Sequence, residues 1–412
     1  MTASKLFESL QLPNGTVISN RIAKAAMEEN LANAEHAPDE RLIQLYRQWA
    51  EGGAGLILTG NVMVDRRALT GPAGVVLEND QQLERFRRWA QVCRSHGAQA
   101  WMQINHPGRQ VMATMGQASW APSSVAVKIP GFEKLFGVPK AMSETDIAAV
   151  IERFATTAKL AERAGFSGVQ IHAAHGYLLS QFLSPLSNQR QDQWGGSLDN
   201  RARLLLECVK AVRACVSPQF CVAIKLNSAD FQRGGFDARD AQQVVGWLNK
   251  LAVDLLEVSG GSYESPAMQG QTSDGRTLAR EAYFLQFAED LARLAKMPVM
   301  VTGGIRRRAV AEQVLRGPVA MLGMASALAI DPQLPMRWQR GELVDAAVPR
   351  VSWKNKALGS VAQSAVIKHQ LNRLSLGKLS QPGVSPLRAL ICSQLKTKRL
   401  TRRYRNWMAG EA

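Results

Sequence analysis

Residues 298–325 read PVMVTGGIRRRAVAEQVLRGPVAMLGMA. A short apolar run (298–304) ends in Gly-Gly. A helical stretch, RRRAVAEQVLRG (306–317), follows, and a second apolar run, VAMLGMA (319–325), completes the unit. Strand, helix and strand in this order make a right-handed βαβ crossover, which requires the two strands to run parallel.

Working outward, the same rhythm fills the chain. RIAKAAM (21–27), GLILTG (55–60), QAWMQINH (99–106), GVQIHAA (168–174), CVAIKLN (221–227) and LLEVSGG (255–261) read as further strands. Helical stretches follow them at 40–53, 83–97, 144–165, 198–215, 237–252 and 280–296, and a last one lies at 331–340. Eight strands with eight following helices predict an α/β fold: an eight-stranded parallel β/α (TIM) barrel with a C-terminal helical extension. A doubly wound open sheet is the rival, but no Gly-x-Gly-x-x-Gly turn follows the first strand. The expected division is a barrel over 1–345 and a basic helical extension over 346–412, broken near LSQPGVSP (379–386).

Composition narrows the class. Hydrophobic residues make up 46% and charged residues 20%, which places the chain among globular rather than disordered sequences. No apolar run is long enough to span a bilayer, and the opening MTASKLFESLQLPNG lacks a secretory layout. The five cysteines (93, 208, 215, 221 and 392) form no Cys-x-x-Cys pair, so reduced thiols and a cytoplasmic location are expected, with no metal or iron–sulfur site.

The net charge of +16 is unevenly placed: residues 351–412 hold twelve Lys/Arg against the single acid Glu411. The basic, amphipathic segment 387–410, with Trp407, is expected to be a helix docked on the barrel or on a second subunit of a homo-oligomer. Peripheral membrane contact is the lesser reading, and nucleic-acid binding is less favoured still.

Chemistry in such a barrel sits at the carboxyl ends of the strands. The first strand ends in Ala25, Ala26, Met27 and Glu28, the second in Gly60, and the third carries Gln103. Lys225 lies in the fifth, and the last three end in Gly260-Gly261, Gly303-Gly304 and Gly323. Glycines after strands seven and eight let backbone N–H groups approach a phosphate; the plainer reading is a turn that needs glycine for itself. Lys225 in an apolar strand calls for an anionic partner. That partner is either a flavin pyrimidine edge or an acid such as Asp230 in a structural ion pair.

The segment IHAAHGYLL (171–179) spends two of the chain's six histidines three residues apart. No third ligand completes a zinc spacing. Two imidazoles side by side can donate to one oxygen and hold a developing oxyanion, and Tyr177 can supply a proton.

The stretch IHAAHGYLLSQFLSPLSNQRQDQWGGSLDNRARLLLE (171–207), with INHPGRQ (104–110), resembles the signature of the Old Yellow Enzyme family of FMN-dependent ene-reductases and NADH:flavin oxidoreductases. Asn188, Arg190, Asp192, Gly195, Gly196, Ser197, Asn200 and Arg201 carry the match, and the likeness covers about residues 5–340. The resemblance implies FMN bound without a covalent link, reduced by NADH or NADPH. Ala25, Ala26, Met27, Glu28, Gly60 and Gln103 would line the flavin. Lys225 would lie at its pyrimidine edge, and Gly303, Gly304, Gly323 and Ser326 near its phosphate. His172 and His175 would bind the carbonyl of an activated alkene, whose β-carbon receives hydride while Tyr177 protonates the α-carbon.

This sequence departs from the family in three ways. Glu28 stands where many relatives have Thr or Cys; a carboxylate there would lower the flavin potential or be held protonated, with its pKa raised. Ala325 and Ser326 replace a common Gly-Arg, a loss for which Arg306 to Arg308 could compensate. The iron–sulfur motif of some larger relatives is absent. Two other readings stand beside the ene-reductase: a flavin-dependent dehydrogenase or demethylase on the same barrel, and a cofactor-free barrel that acts as a scaffold. The loops 110–143 and 262–280 would shape substrate choice.

Overall fold

The first strand is nucleated by residues whose side chains alternate between two apolar environments. In the computed structural model, which describes residues 4–132, 134–267 and 281–410, Ile22 faces the surrounding helices while Ala23 faces inward with Leu58, Trp101, Cys221, Ala223, Leu255, Met300 and Met321. Period-two alternation with both faces buried is the pattern of a strand covered on each side.

Eight parallel strands close on themselves: β1 (Ile22–Lys24), β2 (Leu56–Leu58), β3 (Gln99–Asn105), β4 (Gly168–Ala173), β5 (Cys221–Asn227), β6 (Leu255–Ser259), β7 (Val299–Val301) and β8 (Met321–Met324). Each strand pairs with the next, and β8 returns to β1 through Leu322↔Ile22 and Gly323↔Ala23. The outer layer is α1 (Glu40–Glu51), α2 (Leu83–Arg94), α3 (Glu144–Arg163), α4 (Leu198–Cys215), α5 (Ala238–Leu248), α6 (Leu285–Ala292), α7 (Arg308–Val314) and α8 (Leu334–Gln339). Their starts are written in the sequence. Asp39 and Asp237 accept backbone N–H bonds at the heads of α1 and α5, and Ser143 with Asp146 forms a reciprocal capping box on α3.

Beyond the eighth unit come α9 (Lys356–Leu374) and α10 (Pro386–Ala409), separated at the expected break. α10 docks on the barrel through its last turns. Tyr404 donates to the Arg66 carbonyl (2.8 Å), Arg403 to the Ala32 carbonyl (2.8 Å), and the Trp407 ring lies 4.2 Å from His36. The aromatic residues of the tail therefore face inward. Leu387, Ile391 and Leu395 on its first turns stay exposed. No helix among the described residues is long and apolar enough to cross a membrane.

Two buried histidines make this packing acid-sensitive. His36 donates from Nδ1 to the Gly74 carbonyl (2.8 Å), and His106 accepts from the Gly108 N–H (3.1 Å). Burial pushes both down to about 4 from 6.5. A histidine whose folded pKa is depressed stays neutral in the native state and takes up a proton only on unfolding. The stability it confers is therefore complete above the unfolded pKa and is lost as pH falls from 6.5 toward 4. Between pH 7 and pH 5 each should cost about 2 kcal/mol. Urea melts at the two pH values check this; an unchanged midpoint would mean that neither ring is held neutral.

Candidate active site

The inward positions change character one layer above the apolar floor of the barrel. Gln103, Gln170, Lys225 and Glu257 occupy them and bond in series. Gln103 Nε2 donates to Gln170 Oε1 (2.7 Å), Gln170 Nε2 to Glu257 Oε2 (2.7 Å), and Lys225 Nζ to Glu257 Oε1 (2.8 Å). All four are buried. The partner of Lys225 is thus Glu257 and not Asp230, which instead receives the Phe236 N–H at 3.0 Å. The sequence reading did not single out Gln170 or Glu257. The signal was their parity: both share the inward face of their strands with Gly168 and Leu255.

At the carboxyl end of β4 the His172, His175 and Tyr177 rings cluster edge to face. Centroids are 4.9 Å apart for His172–His175 and His172–Tyr177, and 6.4 Å for His175–Tyr177. His172 Nδ1 accepts the Ala174 N–H (3.2 Å), so its proton sits on Nε2, for which no protein partner exists among the described residues. His175 holds φ at +61°, a left-handed conformation that bulky residues rarely adopt, followed by Gly176 at +71°. Its Nε2 lies 2.7 Å from Ser259 Oγ. Burial, then the Lys225 charge, holds both histidines far below their usual range, so both are neutral. The Tyr177 hydroxyl is 3.0 Å from that of Tyr263, and burial and its neighbours push the phenol well above its usual range. Tyr263 and Ser259 were missed by the sequence reading, because each is brought in by β6 and the loop after it, far along the chain.

The signature residues after β4 do not reach this cluster; they hold its framework. Asn188 donates to the Phe182 and Trp194 carbonyls (both 2.8 Å), Asn200 to the Gly195 carbonyl (3.0 Å), and Arg190 pairs with Asp192 (2.5 Å) while donating to the Pro122 carbonyl (3.1 Å). Arg201 bonds the Leu183 and Gly196 carbonyls. Together they fix the short helix Leu178–Leu183, which starts where Tyr177 ends the strand loop.

The glycines at the strand ends are closely packed against the protein's own atoms. At Gly323 a Cβ would come within 2.5 Å of Thr302 Cγ2 and 3.2 Å of Ala25 Cβ. At Gly60 it would come within 1.9 Å of Glu29 Oε2. Gly303 and Gly304 have φ of +125° and +73°, the second against the Tyr283 hydroxyl. Gly60 also donates to Tyr46 Oη (2.8 Å), part of a buried cluster with Lys24 and Glu29. The Asn105 side-chain amide, fully buried on β3 two residues past Gln103, has no partner at either end among the described residues. Such an orphaned amide and a buried cation are the donors that a flavin ring edge requires. Ala26 is half-buried, Met27 is buried, and Ser326 begins the short helix Ser326–Ile330. The three arginines after β7 are already engaged: Arg306 and Arg307 share Glu281 (2.9 and 2.8 Å), and Arg308 pairs with Glu312 (3.0 Å).

Glu28 corrects one expectation. Burial alone would raise its pKa, but the Lys368 ammonium 2.9 Å away, helped by the polar side chains of Thr70 and Asn30, outweighs burial and holds the carboxyl below its usual value. It is ionised, not protonated. Of the two loops expected to shape substrate choice, the first contributes Arg109 at its root, paired with Glu264 of the second (2.5 Å). Glu133 and residues 268–280 of these loops lie outside the described residues.

The model of the family described as NADH:flavin oxidoreductase / NADH oxidase matches residues 5–344. The NADH-dependent flavin oxidoreductase of Hypocrea jecorina is 35% identical over 345 residues, covering 78% of this chain and 85% of that protein. Its counterpart in Neonectria is 38% identical over 351 residues, 79% of this chain but only 46% of its own length. Among solved structures, an old yellow enzyme homologue from Zymomonas mobilis superposes with a TM-score of 0.70 at 24% identity, over 83% of this chain and 94% of that one, a likeness of fold. Barrel, strand-end site and matches together define an FMN-dependent oxidoreductase. The chain belongs to the NADH:flavin oxidoreductase / NADH oxidase family.

Proposed function

We propose that the protein reduces the double bond of α,β-unsaturated carbonyl compounds, with a reduced nicotinamide as electron donor. The names of its relatives favour NADH. Residues 1–345 serve as the flavin-binding barrel and 346–412 as its extension. The observation that carries this reading is the Nε2–H of the neutral His172, which has no protein partner among the described residues, beside the Tyr177 phenol.

Bound FMN supplies the hydride that the β-carbon accepts. Ala25, Ala26, Met27, Glu28, Gly60 and Gln103 would hold the ring, Lys225 its pyrimidine edge, and Gly303, Gly304, Gly323 and Ser326 the phosphate end. As hydride arrives, negative charge collects on the substrate oxygen. His172 donates to that oxygen from Nε2, a bond that strengthens as charge develops and so favours the transition state over the ground state. His175 adds its field from a position fixed by Ser259 and by the Asn227 side chain, which accepts its backbone N–H (3.0 Å). Tyr177 gives its proton to the α-carbon and draws a replacement through Tyr263.

The visible spectrum of the purified protein, with identification of the nucleotide released on denaturation, tests the cofactor. Turnover of cyclic and open-chain enones with NADH and NADPH tests the reaction. FMN release without enone reduction by either donor would overturn the alkene reading. Loss of the second phenol in Tyr263→Phe should lower kcat about fivefold, the worth of one neutral hydrogen bond. Unchanged kcat and unchanged solvent isotope effect would remove Tyr263 from the proton path.

A further inference from the structure

Glu28 lies just past the end of β1, on the same strand end as Ala25 and Met27, yet its partner comes from α9, 340 residues further along the chain. Lys368 Nζ donates to Glu28 Oε2 at 2.9 Å, and Glu28 Oε1 is buried without a hydrogen-bond partner among the described residues. Lys368 is itself fixed. It sits on a helix that packs against α1, and its carbonyl accepts from Asn372 Nδ2 (2.7 Å), whose Oδ1 receives bonds from Lys396 (2.5 Å) and Arg41 (3.3 Å). Glu28 is also close enough to Tyr177 and Tyr263 for its charge to act on both phenols. A carboxylate at this point would repel an electron-rich flavin and strengthen the hold of both phenols on their protons. The ammonium from α9 offsets that field locally.

We propose that Lys368 is a positioning residue of the active site, supplied by the C-terminal extension, which locks the Glu28 carboxylate and thereby sets how readily the bound flavin takes up electrons. This rests on the reading that Glu28 lines the FMN ring. The extension is then a working part of the site, placed outside the eight βα units that carry the rest of it.

The test is the midpoint potential of bound FMN in the full-length protein, by dye-coupled reduction. Lys368→Met leaves the carboxylate unopposed, so the potential should fall by at least a tenfold change in the oxidised-to-reduced ratio, about 30 mV for a two-electron couple. Glu28→Gln leaves the ammonium unopposed, so the potential should rise. The double variant should return near the parent, which also guards against a folding defect in either single variant. FMN content measured on the same samples separates two failures. A parent that binds no FMN overturns the flavin reading and this proposal together. FMN-loaded single variants whose potentials match the parent's overturn this proposal alone.

Discussion

His172→Ala should lower kcat for enone reduction by about two to three orders of magnitude, the usual effect of removing one oxyanion donor from a preorganised site. The expectation follows from the hydrogen-bond arithmetic at the end of β4. His175 Nε2 is engaged by Ser259, while His172 has its Nδ1 spent on Ala174 and its Nε2–H without a partner among the described residues. Removing His172 therefore removes the Nε2–H that its backbone bond to Ala174 leaves available. The decisive measurement is single-turnover reoxidation of pre-reduced protein. Enone should reoxidise the variant slowly, whereas dioxygen, which has no carbonyl to hold, should act as fast as on the parent. His172→Asn keeps an N–H donor and should recover part of the loss. Equal enone rates in parent and alanine variant would show that the carbonyl is held elsewhere.

Lys225→Met should destabilise the barrel by about 3–5 kcal/mol, because it strands the fully buried Glu257 carboxylate with Gln170 as its only remaining side-chain donor. Breaking one side of a buried ion pair is costly; replacing both sides with apolar groups of similar size need not be. The double variant Lys225→Met/Glu257→Met should therefore recover most of the loss in a urea titration. If Lys225 holds the ring edge as proposed, FMN should be lost from both variants. A single variant as stable as the parent would show that the pair is not a central tie.

Much of this architecture could be read from the chain. The strand-helix rhythm, the capping residues Asp39, Ser143 and Asp237, and the break between α9 and α10 are local signals, so each was legible where it stands. His172, His175 and Tyr177 were legible too, being close in sequence. What stayed hidden was pairing across the barrel. The Lys225 partner was sought nearby at Asp230, but strand register puts Glu257 directly beside it: Lys225↔Glu257 are paired positions of β5 and β6. The charge state of Glu28 was hidden for the same reason, because its determinant sits on a helix beyond the family-matched region. The run from Asn188 to Arg201 carried the family resemblance, and its side chains bind backbone carbonyls and one another.

The docking of α9 and α10 on the barrel also sets an order of events at the ribosome. The last barrel strand ends at Met324, while Tyr404 and Trp407 are made some eighty residues later. At usual synthesis speeds that gap lasts roughly ten seconds. During that interval all eight strands exist but neither Lys368 nor the docking aromatics can yet be in place. The nascent barrel thus has all its strands before the helix that supplies Lys368 to Glu28 and the aromatics that dock on His36 and Arg66 arrive.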